Sequence, residues 1–175
     1  MPRDWNRYYS DPANLDLTPE PLLIEVAEML PPGRALDLAC GAGRNAHYLA
    51  RLGWRVTAVD SSPAAIETLR NRAHGLAIET HVACLERGEF AIPHDSYDLI
   101  CDILYLQRDL FPAIRNGLQP GGTFVGVVLL GEDGEFRLQP EELRREFETW
   151  KILYYSEAPP AKQVHRTARI IARKA

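Results

Sequence analysis

The stretch Arg34-Ala35-Leu36-Asp37-Leu38-Ala39-Cys40-Gly41-Ala42-Gly43-Arg44-Asn45 decides the fold. An apolar run breaks into a Gly-x-Gly turn and passes straight into a helical pattern, Asn45-Ala46-His47-Tyr48-Leu49-Ala50. Glycines let the backbone turn sharply and leave room for a ligand against bare main chain. The helix that follows offers unpaired N–H groups and the positive end of its dipole. Farther along, Trp54-Arg55-Val56-Thr57-Ala58-Val59-Asp60 reads as a second strand ending in a carboxylate. An acid there can take both hydroxyls of a ribose. Strand, glycine turn, helix, strand and acid together specify a nucleoside-binding unit.

Two nucleosides compete, because Gly41-x-Gly43-x-x-Ala46 also satisfies the dinucleotide fingerprint. Asp37 separates them. A pyrophosphate gains nothing from a carboxylate just before its glycines, since both are negative, whereas a ligand with an amino or sulfonium group does. Leu36-Asp37-Leu38-Ala39-Cys40-Gly41-Ala42-Gly43 resembles motif I of the Rossmann-like S-adenosylmethionine-dependent methyltransferases. An acid inside an apolar strand needs a partner, and no neighbour in sequence supplies one to Asp37 or Asp60.

At 175 residues the chain fits one domain with a real core. Its 46% hydrophobic and 25% charged residues suit a soluble globular protein. A net charge of −4 gives no electrostatic footprint for nucleic acid or an anionic membrane. Arg166, Arg169 and Arg173 gather near the C-terminus and read as one solvated strand edge. The start has no signal-like pattern and no run is long enough to span a bilayer, so a cytoplasmic location is expected. Three cysteines without Cys-x-x-Cys spacing argue against disulfides and zinc. Cys40, Cys84 and Cys101 all fall in apolar segments and read as small buried hydrophobes. The histidines show no ligand spacing, so no metal is expected.

Taken in order, residues 1–17 form a polar, aromatic arm with Trp5, Tyr8 and Tyr9, and residues 18–175 a single domain. Thr18-Pro19-Glu20 reads as a helix start with Thr18 as its cap. The pattern then predicts a helix to Leu52 after the glycine turn, a helix from Pro63 to Ala73 and a strand over 77–83. A buried strand follows over 97–104, then a helix from about Arg108 to Leu118. Gln119-Pro120-Gly121-Gly122 reads as a tight turn into a strand over 123–130. Pro140-Glu141-Glu142-Leu143 opens a last helix, and segments 150–156 and 164–173 are β. Two strands with no helix between them predict a parallel sheet ending in an antiparallel hairpin.

Tyr97-Asp98-Leu99-Ile100 and Leu118-Gln119-Pro120-Gly121-Gly122 resemble the fourth- and fifth-strand signatures of the same methyltransferase class. Gly43-Arg44-Asn45-Ala46 and the segments Leu138–Leu143 and Trp150–Tyr155 are similar to small methyltransferases of the tellurite-resistance type. The resemblance implies an α/β, Rossmann-like three-layer sandwich with a seven-stranded, mostly parallel sheet and an antiparallel last strand. It implies S-adenosyl-L-methionine as cofactor, with Asp37, Gly41 and Gly43 at the methionine part and Ala39, Arg44 and Asn45 also among the residues that bind it. Asp60 would take the ribose hydroxyls, Ser61 would lie beside the adenosine, Cys84 and Leu85 would flank the adenine, and Asp102 would lie near the methionine end. Cys84 departs from the family, which commonly has an acid there to accept from the adenine amino group; a thiol accepts poorly.

Asp102, Tyr105, His165 and Arg166 are the candidates for catalysis, with Arg108, Tyr8 and Tyr9 as further groups near the expected mouth. The tellurite-type relatives carry a His-Arg pair near the last strand, and the arm would serve as a lid if it does more than pack its aromatics. The implied activity is methyl transfer to a small molecule (EC 2.1.1.-) by in-line displacement, in a monomer or homodimer, with no nucleic-acid or membrane partner. Two alternatives stand beside it: an NAD(P)-dependent oxidoreductase, and a protein that binds the cofactor without turnover. No Tyr-x-x-x-Lys pair is present to serve the first.

Overall fold

Seven strands, β1 (Arg34–Leu38), β2 (Arg55–Asp60), β3 (Ile78–Val82), β4 (Tyr97–Ile103), β5 (Leu118–Leu129), β6 (Lys151–Ser156) and β7 (Thr167–Arg173), form one sheet. Their order is β3-β2-β1-β4-β5-β7-β6. β1 runs parallel to β2, β2 to β3 and β4 to β5, while β7 is antiparallel to both β5 and β6. This is the α/β fold with a reversed seventh strand that the sequence predicts. The computed structural model describes residues 4–131, 137–158 and 166–175. Chain contacts divide it into two compact units, Met1–Ala91 and Ile92–Ala175.

The first unit carries four helices: α1 (Trp5–Tyr9), α2 (Pro21–Met29), α3 (Arg44–Arg51) and α4 (Pro63–Arg72). Its core is aliphatic, with Leu22, Leu23 and Val26 of α2, Leu49 of α3, and Ile66 and Leu69 of α4 almost fully buried. Both faces of β1 are covered, so its residues after Arg34 are all buried. Asp37 is among them, at 1% exposure.

The second unit carries α5 (Phe111–Gly117) and α6 (Glu142–Glu146), with one 3-10 turn at Arg108–Leu110. Its core is aromatic. Phe147 stacks on Phe124 at 4.5 Å and meets Phe111 and Trp150 edge-on at 6.0 and 5.3 Å.

Several boundaries differ from the sequence reading, each for a physical reason. The cap of α2 is Glu20 with Pro21 at the first turn, not Thr18 with Pro19. Both pairs fit the pattern, and the Glu20 N–H donating to Asn45 Oδ1 at 2.9 Å accompanies the later start. Residues 119–122 belong to β5 as a bulge rather than a separating turn: Leu118 already pairs with Tyr97, and pairing resumes at Thr123 opposite Leu99. Lys174 exchanges main-chain hydrogen bonds with Gly121 and Gly122, which keeps this segment in the sheet. The helix expected from Arg108 splits into the 3-10 turn and α5. The arginine-bearing strand β7 is not an edge, because β5 and β6 flank it, and Arg166 precedes it.

Candidate functional site

Parallel strands of an open α/β sheet present their carboxyl ends to ligands. In the first unit those ends carry Asp37, the glycine turn and Asp60. The Asp60 carboxylate is 7% exposed and holds the loop together with both oxygens. Oδ2 accepts from the Gly41 N–H at 2.8 Å and Oδ1 from the Ser62 N–H at 2.8 Å. Burial pushes this carboxyl above its ordinary value, the two main-chain N–H groups pull it back, and Glu86 adds a further upward push. Two carboxylate oxygens offer about four lone-pair sites, so acceptor capacity is left beyond these main-chain donors.

Asp37 has the partner that its sequence neighbours do not offer. Its Oδ2 accepts from the Ala46 N–H at 3.0 Å. Gly43 is the N-cap of α3, in a left-handed conformation and without a side chain to cap with, so Asp37 supplies the cap from the strand below.

The two glycines do different work. A Cβ on Gly43 would overlap Leu69 of α4, so that glycine allows helix and turn to pack. A Cβ on Gly41 would overlap the Tyr9 hydroxyl, so the bare main chain there faces the N-terminal helix. Ala39, with φ of 49°, takes a left-handed conformation without being glycine. Such strain gathers at sites where the loop shape matters.

The remaining predicted residues of this unit spread out. Arg44 donates to Asp16 Oδ2 at 3.1 Å and to the Thr18 carbonyl at 3.2 Å, clamping the arm's junction with α2. Asn45 is buried with its Oδ1 on the Glu20 N–H. Ser61 is exposed, and Ser62 is the buried N-cap of α4, accepting from the Ala65 N–H at 3.1 Å. Leu85 is buried at 5%. Cys84 is half-buried rather than a core hydrophobe, and its thiol donates to Glu86 Oε2 at 3.2 Å. Its main-chain N–H donates to Glu89 Oε2 at 2.8 Å.

Sequence reasoning missed Asn6 altogether. Its Oδ1 accepts from the Ser62 hydroxyl at 3.2 Å and the Ala64 N–H at 3.0 Å. No spacing pattern could have found it, because a lone Asn on a five-residue helix has no signature.

In the second unit Asp102 lies in β4 at 1% exposure. Leu104, just past the strand, has φ of 61° and is half exposed. The Tyr105 hydroxyl donates to Gln107 Oε1 at 2.7 Å. Arg108 is committed to Glu142, at 2.5 and 3.2 Å, and to the Arg137 carbonyl at 2.9 Å. Arg166 is exposed before β7. His165 lies outside the described residues. Among the described residues no cluster of His, Cys, Asp and Glu could hold a metal, and no helix is long and apolar enough to cross a membrane.

A family model described as tellurite resistance protein TehB matches residues 3–173. Hemagglutinin 1 of Eikenella corrodens is 30% identical over 148 residues, covering 77% of this chain and 49% of that protein. A probable S-adenosyl-L-methionine-dependent methyltransferase TehB of Haemophilus influenzae (strain 10810) is 27% identical over 149 residues, covering 77% and 52%. The crystal structure of TehB from Haemophilus influenzae superposes with a TM-score of 0.80 at 23% identity, covering 98% of this chain and 67% of that one. The chain spans about half the length of the curated relatives it matches.

Proposed function

The chain belongs to the TehB family of class I, Rossmann-like S-adenosylmethionine-dependent methyltransferases, and from that premise we propose that it binds S-adenosyl-L-methionine in the first unit and transfers a methyl group to a small-molecule acceptor. The observation that carries this reading is Asp60: a buried carboxylate at the end of β2, tied through one oxygen to the glycine turn and through the other to the start of α4. An acceptor pair fixed in that way suits two adjacent ribose hydroxyls. The Asp60 oxygens keep lone pairs that a ribose diol could fill and Gly41 leaves main chain bare beside them, so the residues present fit the cofactor.

Asp37 argues against the dinucleotide reading. Its carboxylate already takes an N–H in the first turn of α3, where a pyrophosphate would need to sit, and would repel one. A cationic amino acid moiety gains from the same charge. Gly41, Ala39 and Gly43 shape the turn, Leu85 forms an apolar wall beside Cys84, and Arg44 with Asn45 fixes the entry to α2.

S-adenosylmethionine, when bound, supplies a methyl group on a sulfonium, an already activated leaving group. The protein's work is then alignment, worth several powers of ten when reacting atoms are held near contact. Asp102 and Tyr105 are the groups proposed to hold or accept a proton where the acceptor loses one, and His165 with Arg166 to attract an anionic acceptor. A net charge of −4 favours a small molecule over nucleic acid. Residues 1–17 are proposed as an arm that covers the crevice, and 18–175 as the methyltransferase domain.

Thermal melting with S-adenosylmethionine, S-adenosylhomocysteine, NAD and NADP in parallel tests the cofactor. A ligand at a hundred times its dissociation constant stabilises by about 2.7 kcal/mol, which raises the melting temperature by roughly 5–10 °C in a chain of this length. A rise with the two adenosyl compounds alone is expected. A rise with NAD alone would transfer the site to the oxidoreductase reading.

A further inference from the structure

The arm does more than cover. Its helix α1 has five residues, too short to hold a helical shape by itself, so its contacts decide where it sits. One is the Asn6 latch, which joins α1 to the Ser62 hydroxyl and the Ala64 N–H at the start of α4. Within α1 itself Trp5 stacks on Tyr9 at 6.1 Å with 28° between planes and Tyr8 meets Tyr9 edge-on at 5.2 Å, so the three rings travel with the helix as one group. A second contact with the rest of the unit is the Tyr9 hydroxyl against the bare main chain of Gly41.

We propose that α1 is a plug: Tyr9 stands in the ligand's place over Gly41, and the cofactor enters only when Asn6 releases α4. This rests on the cofactor reading of the glycine turn. Gly41 is the glycine of the pair whose missing side chain opens space toward the crevice, and a phenol fills that space. Burial, with Asp60 next in effect, pushes Tyr9 up to about 12, so a neutral hydroxyl stands near the carboxylate that would take a ribose hydroxyl. Two occupants cannot share one van der Waals contact.

The latch is the part of this docking that a single substitution can remove. Asn6 is exposed and makes two neutral hydrogen bonds. Beyond α1 the chain makes a single 3-10 turn at Pro12–Asn14, and Arg44 then anchors Asp16 and the Thr18 carbonyl. A released α1 stays tethered at that anchor and swings about residues 10–15.

The test uses S-adenosylhomocysteine as the probe and reads binding, not turnover. Its dissociation constant and association rate are measured for the wild type, Asn6→Ala and Tyr9→Ala. In parallel, acrylamide quenching of Trp5 is followed in the wild type, with Trp5→Phe giving the background from Trp54 and Trp150. A binding-competent state made more populated lowers the apparent dissociation constant in proportion. Losing bonds of this kind should therefore tighten binding roughly three- to tenfold in Asn6→Ala, through faster association. Tyr9→Ala should do the same, and Trp5 should become more quenchable as the wild type takes up ligand. Weaker binding in both variants, with Trp5 shielded by ligand, would overturn the plug and make Tyr9 a contact that holds the cofactor. Unchanged affinity with unchanged quenching would overturn it too. Failure of every form to bind would remove the cofactor reading itself, and the plug with it.

Discussion

In the first unit Asp37 and Asp60 lie almost wholly buried and accept main-chain hydrogen bonds from the glycine turn and the starts of α3 and α4, whereas in the second Phe111, Phe124 and Phe147 pack ring on ring. The second unit keeps several of its charged pairs nearer the surface, as in Arg115–Glu146 at 2.9 Å and Lys174–Asp95 at 3.0 Å. Among its described residues Asp102 is the buried acid. The difference separates what shapes a site from what stabilises a fold. Buried carboxylates that gather N–H groups set the conformation of a turn, and their loss is felt by whatever binds there. Buried rings set cohesion, and their loss is felt by the whole molecule.

Phe147→Ala should break the comparison from the second side. Removing a fully buried ring that touches three others is expected to cost about 3–5 kcal/mol. Denaturant unfolding measures it, and the folded fraction should bind S-adenosylhomocysteine as before. A change in affinity as large as the change in stability would show that the units do not divide their roles in this way.

Acid should act on the first side. The Asp60 carboxyl sits above its ordinary 3.8 because of burial, despite its two N–H partners. The folded state therefore carries a cost for the ionised form that is present above the raised value and relieved as pH falls through it. Ligand affinity moves the other way, since protonation removes an acceptor oxygen. Titrations of S-adenosylhomocysteine binding should weaken as pH falls, beginning above the range of an ordinary aspartate. Affinity constant down to pH 4 would contradict the assignment.

The smallest effect sharpens the comparison at the turn. Ala39 sits at φ of 49°, where a side chain costs roughly 1–2 kcal/mol. Ala39→Gly relieves that strain but adds freedom to the unfolded chain, so a net gain of about 1 kcal/mol or less is expected in thermal unfolding.

Much of this was legible in the sequence. The alternation of apolar runs and helical patterns predicts all seven strands, and the missing helix between the last two predicts the antiparallel hairpin formed by β6 and β7. Local chemistry left other features open. Thr18-Pro19 and Glu20-Pro21 are equal as helix starts, and the bond from Glu20 to Asn45, twenty-five residues away, belongs to the folded chain. Gly121, at φ of 79°, does turn the chain, but the end of β7 draws the turn into the sheet. The partner of Asp37 lies nine residues on, across the glycine turn, where no periodicity points to it. Asn6 depends on Ser62 and Ala64 being brought to it by the fold.

The central claim is that Asp60 organises a nucleoside site, and calorimetric titration of S-adenosylhomocysteine into the wild type and Asp60→Asn tests it most directly. Asn keeps the size and one acceptor oxygen while removing the charge and one of the two hydrogen bonds to Gly41 and Ser62, and thermal unfolding of the variant checks that the fold survives. The account predicts binding by the wild type and a loss of tenfold or more in the variant, since hydrogen bonds to a charged group are worth about 1.5–3 kcal/mol. Equal affinity in both would contradict it.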